Sequence, residues 1–167
     1  QCKTLRRYRP EKICPTKLMT AEWLEVVQTA HEVGLPSTST ILFGHIETDA
    51  QIIEHFSHLR NLQKKTGGFT EFIPLRYVGE LTRLKVEHAE AQDDEYYLRL
   101  LAVARLYFQQ TIRNIQASWV KAGFSGALKT LEAGVNDLGG TLYEESITRS
   151  AGGKNGEYTP LETFRSE

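Results

Sequence analysis

The sequence predicts an α/β fold, a partial TIM-type barrel of about four βα units. Three observations predict it. Four short β-rich runs are separated by helical stretches, roughly 20 to 45 residues apart, the cadence of parallel βα units. No Gly-rich phosphate loop follows the first run, which argues against an open doubly wound nucleotide-binding sheet. Four units make half of an eight-stranded barrel, and an isolated half leaves two sheet edges unpaired.

The elements follow in order. Thr20 is a suitable N-cap, Glu22 sits in the first turn, and Trp23, Val26, Val27 and Ala30 recur at helical spacing until Gly34 stops the run. Ser37 to Phe43 is β-branched and closes on Gly44, a first strand. Asp49 can cap a second helix whose apolar stripe is Ile52, Ile53, Phe56 and Leu59, running to Thr66-Gly67-Gly68. Phe69 to Leu75 is a second strand that Pro74 ends. Residues 79–93 are polar and irregular, and Asp93-Asp94 opens a third helix with Tyr97, Leu100, Leu101, Val103, Ala104 and Leu106 as its apolar set. Ile112 to Val120 reads as a third strand, and Ser125 to Ala133 as a short helix with Leu128 and Leu131 inward. Gly134 to Gly140 gives a brief fourth strand and turn, after which Thr141 and Glu144 can cap a last helical turn. The domain spans residues 1–152, and residues 153–167 read as a flexible tail.

Composition sets bounds on function. The chain has 167 residues, 40% hydrophobic and 25% charged, and a net charge of −1, so no global field draws it to nucleic acid or an anionic membrane. No apolar run approaches the roughly 20 residues that span a bilayer. Cys2 and Cys14, the two cysteines, make neither a disulfide framework nor a tetrahedral metal site, and a reducing cytoplasmic setting is expected, an organelle remaining open.

In a parallel barrel, functional groups gather at the C-terminal strand ends. Gly44 admits close backbone approach, with His45 and Glu47 beside it; Glu71 lies on the second run; Asn114, Gln116 and Ser118 alternate along the third; Asn136 and Asp137 mark the fourth. Bland readings stand beside these. A strand-end histidine is as often structural as functional, and Asn136-Asp137 is also a capping sequence. His45-Ile46-Glu47 has the H-x-E form of zinc deaminases but lacks the P-C-x-x-C partner. His31, His55, His58 and His88 have no paired ligands and read as solvated.

Several ordered tracts carry a resemblance. They are Ile13-Cys-Pro-Thr-Lys-Leu18, Thr40-Ile-Leu-Phe-Gly-His-Ile-Glu-Thr48, Thr66-Gly-Gly-Phe-Thr-Glu-Phe-Ile-Pro-Leu75, Asn114-Ile-Gln-Ala-Ser-Trp-Val-Lys121, Gly134-Val-Asn-Asp-Leu-Gly-Gly-Thr-Leu142 and Glu144-Glu-Ser-Ile-Thr-Arg-Ser-Ala-Gly152. In them the chain resembles the radical S-adenosylmethionine enzymes that include FO synthase and two menaquinone-pathway enzymes. The Phe69 to Leu75 and Glu144 to Arg149 tracts look most like the 4-hydroxyphenyl transferase component. Menaquinone-pathway relatives usually carry Ala or Gln-Ala around the Glu71 position.

The resemblance implies a transferase that joins the 4-hydroxybenzyl group of L-tyrosine to 5-amino-6-(D-ribitylamino)uracil. Its cofactors would be S-adenosylmethionine and a 4Fe–4S cluster held by C-x3-C-x2-C. That motif is absent from this sequence, so the cluster ligands are expected in a missing N-terminal half of the barrel, with no metal bound by this fragment. Thr40-x-Leu42-x-Gly44-x-x-Glu47 resembles the family's G-x-I-x-G-x-x-E segment, which would put Thr40, Leu42, Gly44 and Glu47 at the adenosyl pocket. Phe72 and Pro74 would border the same ring. His45, Glu71, Gln116, Ser118, Asn136 and Asp137 would face the tyrosine and pyrimidine. A lyase component is a further expected partner; nucleic acid and membrane are not. The competing readings are a related menaquinone (futalosine) pathway radical S-adenosylmethionine enzyme and a non-catalytic binding remnant.

Overall fold

The structure is a computed structural model and describes residues 17–81, 93–139, 146–155, 160 and 162. Its elements are α1 Thr20–Glu32, β1 Ser37–Phe43, α2 Asp49–Thr66, β2 Phe69–Arg76, α3 Asp94–Phe108, β3 Asn114–Ser118, α4 Trp119–Ala122, α5 Phe124–Glu132, β4 Asp137–Gly139 and α6 Ser146–Ser150. The four strands form one parallel sheet in the order β1-β2-β3-β4. The sheet is not closed, so the architecture is half of a TIM-type barrel, as the spacing of the βα units predicts.

The helices cover one face of the sheet. Phe43, Phe72 and Ile115 of the strands meet Phe56, Leu59, Leu101 and Phe108 of α2 and α3, all fully buried. The aromatic centre is tight: Phe56 lies 5.3 Å from Phe72, and Phe108 lies 5.0 Å from Phe72. Rings at such separations add favourable edge and tilted contacts to the burial of their area. Because side chains alternate along a strand, burial of Ser39, Ile41 and Phe43 turns Thr38, Thr40 and Leu42 to the opposite, open face.

Several local readings are corrected. Met19, not Thr20, is the N-cap of α1, its N–H donating to the Glu22 carboxylate at 2.6 Å. Thr48, not Asp49, caps α2: Gln51 N–H donates to Thr48 Oγ1 at 3.4 Å, and Thr48 N–H donates to Gln51 Oε1 at 2.9 Å, a reciprocal box. Val26, Ile53, Val103, Leu106 and Leu131 are exposed rather than inward. Leu24 and Leu62, with Ala127 and Thr130 of α5, take inward places instead. Pro74 does not end β2, which continues to Arg76. The ladder from β2 to β3 pairs Glu71 with Asn114 and Phe72 with Ile115, below Pro74, so no β3 acceptor awaits the N–H that proline lacks. The third strand stops at Ser118, and Trp119–Ala122 turns into α4. Thr141, Glu144 and His88 lie outside the described residues.

Two histidines expected in solvent are structural. His31 is buried with both ring nitrogens bonded: Nδ1 donates to Thr66 Oγ1 at 2.7 Å, and Nε2 accepts from Ser37 Oγ at 2.9 Å. The assignment follows from Thr66, whose own hydroxyl proton goes to Leu62 O. His55 Nε2 donates to Thr40 O at 3.2 Å, fastening α2 to β1.

Candidate functional site

Period-two alternation makes the open face. Thr40 and Leu42 of β1 stand opposite Ile73 and Leu75 of β2, all half-buried, a patch formed mainly by aliphatic side chains. Gln116 stands opposite Asp137, and Ser118 opposite Gly139. Phe72 and Pro74 lie on the other face, packed toward the helices. Their neighbours Ile73 and Leu75 therefore present side chains to the open face, which the alternation of β2 already encodes.

A polar cluster crosses three strands. The Gln116 amide donates to Glu71 Oε2 at 3.0 Å and to Asp137 Oδ2 at 2.8 Å, so one side chain holds two carboxylates together. Burial and the nearby Asp137 charge, with a hydrogen bond to Asp137, push the Glu71 carboxyl above its ordinary value. Gly139 makes room for this bridge: a Cβ there would lie 2.6 Å from Gln116 Oε1. The cluster is a ready acceptor for a cationic or N–H-bearing ligand.

The loop after β1 is built around Glu47. Gly44 adopts φ 89°, a conformation that side chains disfavour, and the chain turns back on itself. The buried Glu47 carboxylate then accepts from the N–H of Gly44, from those of His45 and Ile46 at 3.2 Å each, and from His45 Nδ1 at 2.5 Å. Burial alone would raise its pKa. The His45 and Gly44 hydrogen bonds, its own backbone N–H and the His45 charge outweigh that and bring it to about 2. Glu47 is thus an internal strut that fixes the mouth of the barrel. His45 in turn packs on Tyr77, 5.1 Å between ring centroids, and Tyr77 N–H donates to Phe43 O at 2.8 Å.

Arg76 and Tyr97 add to this end of the sheet and were not singled out by the sequence. Both Arg76 Nη atoms lie 2.9 Å from Asp94 Oδ1, with the guanidinium 5.0 Å from the Tyr97 ring centroid. Burial pushes the Tyr97 phenol up to about 12 against the opposing effects of Arg76 and the Ser118 N–H. The signal was Arg76-Tyr77 at the end of a strand, where barrels place function. Nearby, Lys121 Nζ donates to Thr148 Oγ1 at 2.8 Å and Leu81 N–H donates to Ala151 O at 3.2 Å, seating α6 beside the segments that follow β2 and β3.

Asn136 stands apart. It precedes β4, at the opposite end of the strand from the mouth, and its Oδ1 accepts from Ile115 N–H at 2.8 Å and Arg105 Nη2 at 3.0 Å. Asn114 also begins its strand. Among the described residues no group of three or more His, Cys, Asp or Glu side chains is arranged to hold a metal ion; Cys2 and Cys14 lie outside the described residues. The aliphatic side chains of Leu42 and Leu75 stand side by side at the end of the open face, next to Gly44.

The fold and site define a partial TIM-type barrel, an unclosed parallel sheet whose open face carries an aliphatic patch and a polar tier. The family described as CofH/MqnC C-terminal region matches residues 66–161, and the chain belongs to it. It is 45% identical over 158 residues to the 5-amino-6-(D-ribitylamino)uracil–L-tyrosine 4-hydroxyphenyl transferase of Methanococcus maripaludis strain C7, covering 92% of this chain and 44% of that protein. Against the proteins of the same name from Methanothermobacter thermautotrophicus and Archaeoglobus fulgidus, identity is 49% and 46%, again over 92% of this chain. The chain thus spans less than half the length of these curated relatives. No helix among the described residues is long and apolar enough to cross a membrane.

Proposed function

We propose that this chain supplies the C-terminal half of a radical S-adenosylmethionine barrel, in a transferase that joins the 4-hydroxybenzyl group of L-tyrosine to 5-amino-6-(D-ribitylamino)uracil on the way to a deazaflavin cofactor. The observation that carries the reading is identity of 45–49% to transferases of that name across nine-tenths of the chain. S-adenosylmethionine held against the open face of this chain, with a 4Fe–4S cluster held by the N-terminal half, would supply the radical chemistry. The residues of this chain bind and orient. Thr40, Leu42 and Gly44 border the adenosyl group, while Glu47 holds their loop in shape. Phe72 and Pro74 set β2 from behind. Glu71, Gln116, Asp137 and Ser118 receive the polar ends of the substrates, His45 closes the mouth, and Asn136 holds β4 in register. Closing the lumen keeps water from a reactive intermediate. The setting is the cytoplasm, and a lyase component is the expected partner.

The test joins this chain to the N-terminal half of the Methanothermobacter relative and loads the fusion with iron and sulfide without oxygen. Product is expected from L-tyrosine and the pyrimidine with the fusion and none with the chain alone. A folded, cluster-loaded fusion that cleaves S-adenosylmethionine yet makes no such product overturns the reading. A cluster near one per chain in the chain alone overturns the placement of the cluster.

A further inference from the structure

The second strand changes phase once. Ser37 pairs with Phe69 and Ser39 with Phe72, so two residues of β2, Thr70 and Glu71, stand against the single Thr38 of β1. That extra residue is a β-bulge, a device that re-aims side chains and recurs beside active sites. The residue it re-aims is Glu71. A regular strand that buries Phe69 would turn Glu71 toward the helices and Phe72 away from them, because side chains alternate. With the bulge, Phe69 and Phe72 are both buried and Glu71 reaches the open face, where Gln116 bonds it. Side chains from both flanking strands meet the carbonyls of the bulge. Ser39 Oγ donates to Glu71 O at 2.8 Å, and Asn114 Nδ2 donates to Thr70 O at 3.2 Å. Ser39 is fully buried in a row with Ile41 and Phe43, where a hydroxyl costs stability unless it is bonded. An apolar side chain would suit that place if packing were its only task.

We propose that Ser39, helped by Asn114 on the other flank, is a positioning residue: by fixing the bulge it aims the Glu71 carboxyl at Gln116 and Asp137, and the pair so aimed receives an amino group of the substrate. The inference rests on the transferase reading above. L-tyrosine carries an ammonium group and 5-amino-6-(D-ribitylamino)uracil carries amino N–H groups, and both are donors that a carboxylate accepts. The Gln116 amide nitrogen bonds both carboxylates at once, a geometry that a drift of the Glu71 backbone would break. Burial and the nearby Asp137 hold the Glu71 carboxyl above its ordinary value, and that elevation reports whether the two stay together.

The test titrates the chain labelled with 13C at its glutamate carboxyls, the Glu71 signal being assigned by its loss in Glu71→Gln. In the parent chain Glu71 should titrate above an ordinary glutamate. In Ser39→Ala it should fall back toward one, and the Gln116 amide proton signals should shift with it. An unmoved Glu71 titration in folded Ser39→Ala overturns the proposal. Should that variant not fold, Asn114→Ala, at an exposed position, decides in its place by the same two outcomes. Binding of L-tyrosine and of 5-amino-6-(D-ribitylamino)uracil is then measured by calorimetry. The substrate whose amino group the pair receives should bind roughly tenfold more weakly to Ser39→Ala. The same substitution should weaken binding no further once Glu71→Gln is present. An equal loss in both backgrounds, or a moved titration with binding unchanged, strikes the substrate role of Ser39 and leaves the transferase reading standing. A parent chain that binds neither substrate strikes both that role and the placing of substrates on this half.

Discussion

The imidazole of His31 fills the volume that a side chain on Gly68 would need, since a Cβ there would lie 2.1 Å from its Cγ. The ring is gripped from both sides by Thr66 and Ser37, and burial holds its pKa below the ordinary 6.5. His55 is the stronger case. Burial pushes it down to about 4, and its bond to Thr40 O recovers only part of that. The unfolded chain takes up these protons first, so the stability that the neutral rings confer is complete above pH 6.5. It is lost as pH falls from 6.5 toward the folded value. For His55 a drop to about 4 is on the order of 3 kcal/mol. Glu47 acts in a lower window: its stabilisation is present above 4.5 and fades as pH falls toward 2. The urea midpoint should decline between pH 6.5 and 4, and His55→Gln should flatten much of that slope. An unchanged slope in the variant would refute the His55 assignment.

At the scale of elements, β4 is the weakest part of the sheet, three residues long and paired only with β3 among the described residues. Arg105 of α3 compensates from below. Its Nε donates to Gly134 O at 2.7 Å, Nη1 to Arg113 O at 2.7 Å and Nη2 to Asn136 Oδ1 at 3.0 Å, tying the entries of β3 and β4 to one helix. Charge-assisted bonds on a partly exposed group sum to less than their separate values, so Arg105→Ala should cost about 2 kcal/mol. Amide protection should fall first across Gln116–Gly139 while β1 and β2 keep theirs; uniform loss along the sheet would show that Arg105 is not specific to this edge. Such a latch is invisible in sequence, because nothing local links Arg105 to Gly134. What was legible is whatever follows from period and punctuation: four strands, the helices between them, and the sharing of a face by Thr40 and Leu42 or by Gln116 and Ser118. The end of β3 was not. Trp119 and Val120 are strand-favouring residues, but they are buried in a helical turn against Ala127, and tertiary packing decides over propensity. The solvated reading of His31 and His55 failed for the same reason, since His31 is bonded to Thr66 and Ser37, 35 and 6 residues away, and His55 to Thr40, 15 residues away. The Glu71–Gln116–Asp137 bridge became visible only when register set three strands side by side.

For the molecule as a whole, the decisive feature is an incomplete cylinder. β1 is an edge strand among the described residues, and Ser37 to Phe43 contains no charge and no proline. Natural edges usually carry such guards, because a bare row of N–H and C=O groups templates another strand. Val26, Val33 and Leu35, on and just after the helix leading into β1, are exposed apolar residues. An edge this unguarded is suited to being covered, and the relatives more than twice the length of this chain have the polypeptide to cover it. Left alone, the chain should satisfy the edge with another copy and self-associate over the micromolar range. Thr38 is exposed on β1, so Thr38→Lys introduces the missing guard without touching the core. Sedimentation equilibrium should find association weakened roughly tenfold, about 1.4 kcal/mol, at an unchanged unfolding midpoint. A chain that is monomeric throughout that range, or a variant that associates as strongly as the parent, would mean that β1 is not an open seam and that the half-barrel is closed by some other part of its own sequence.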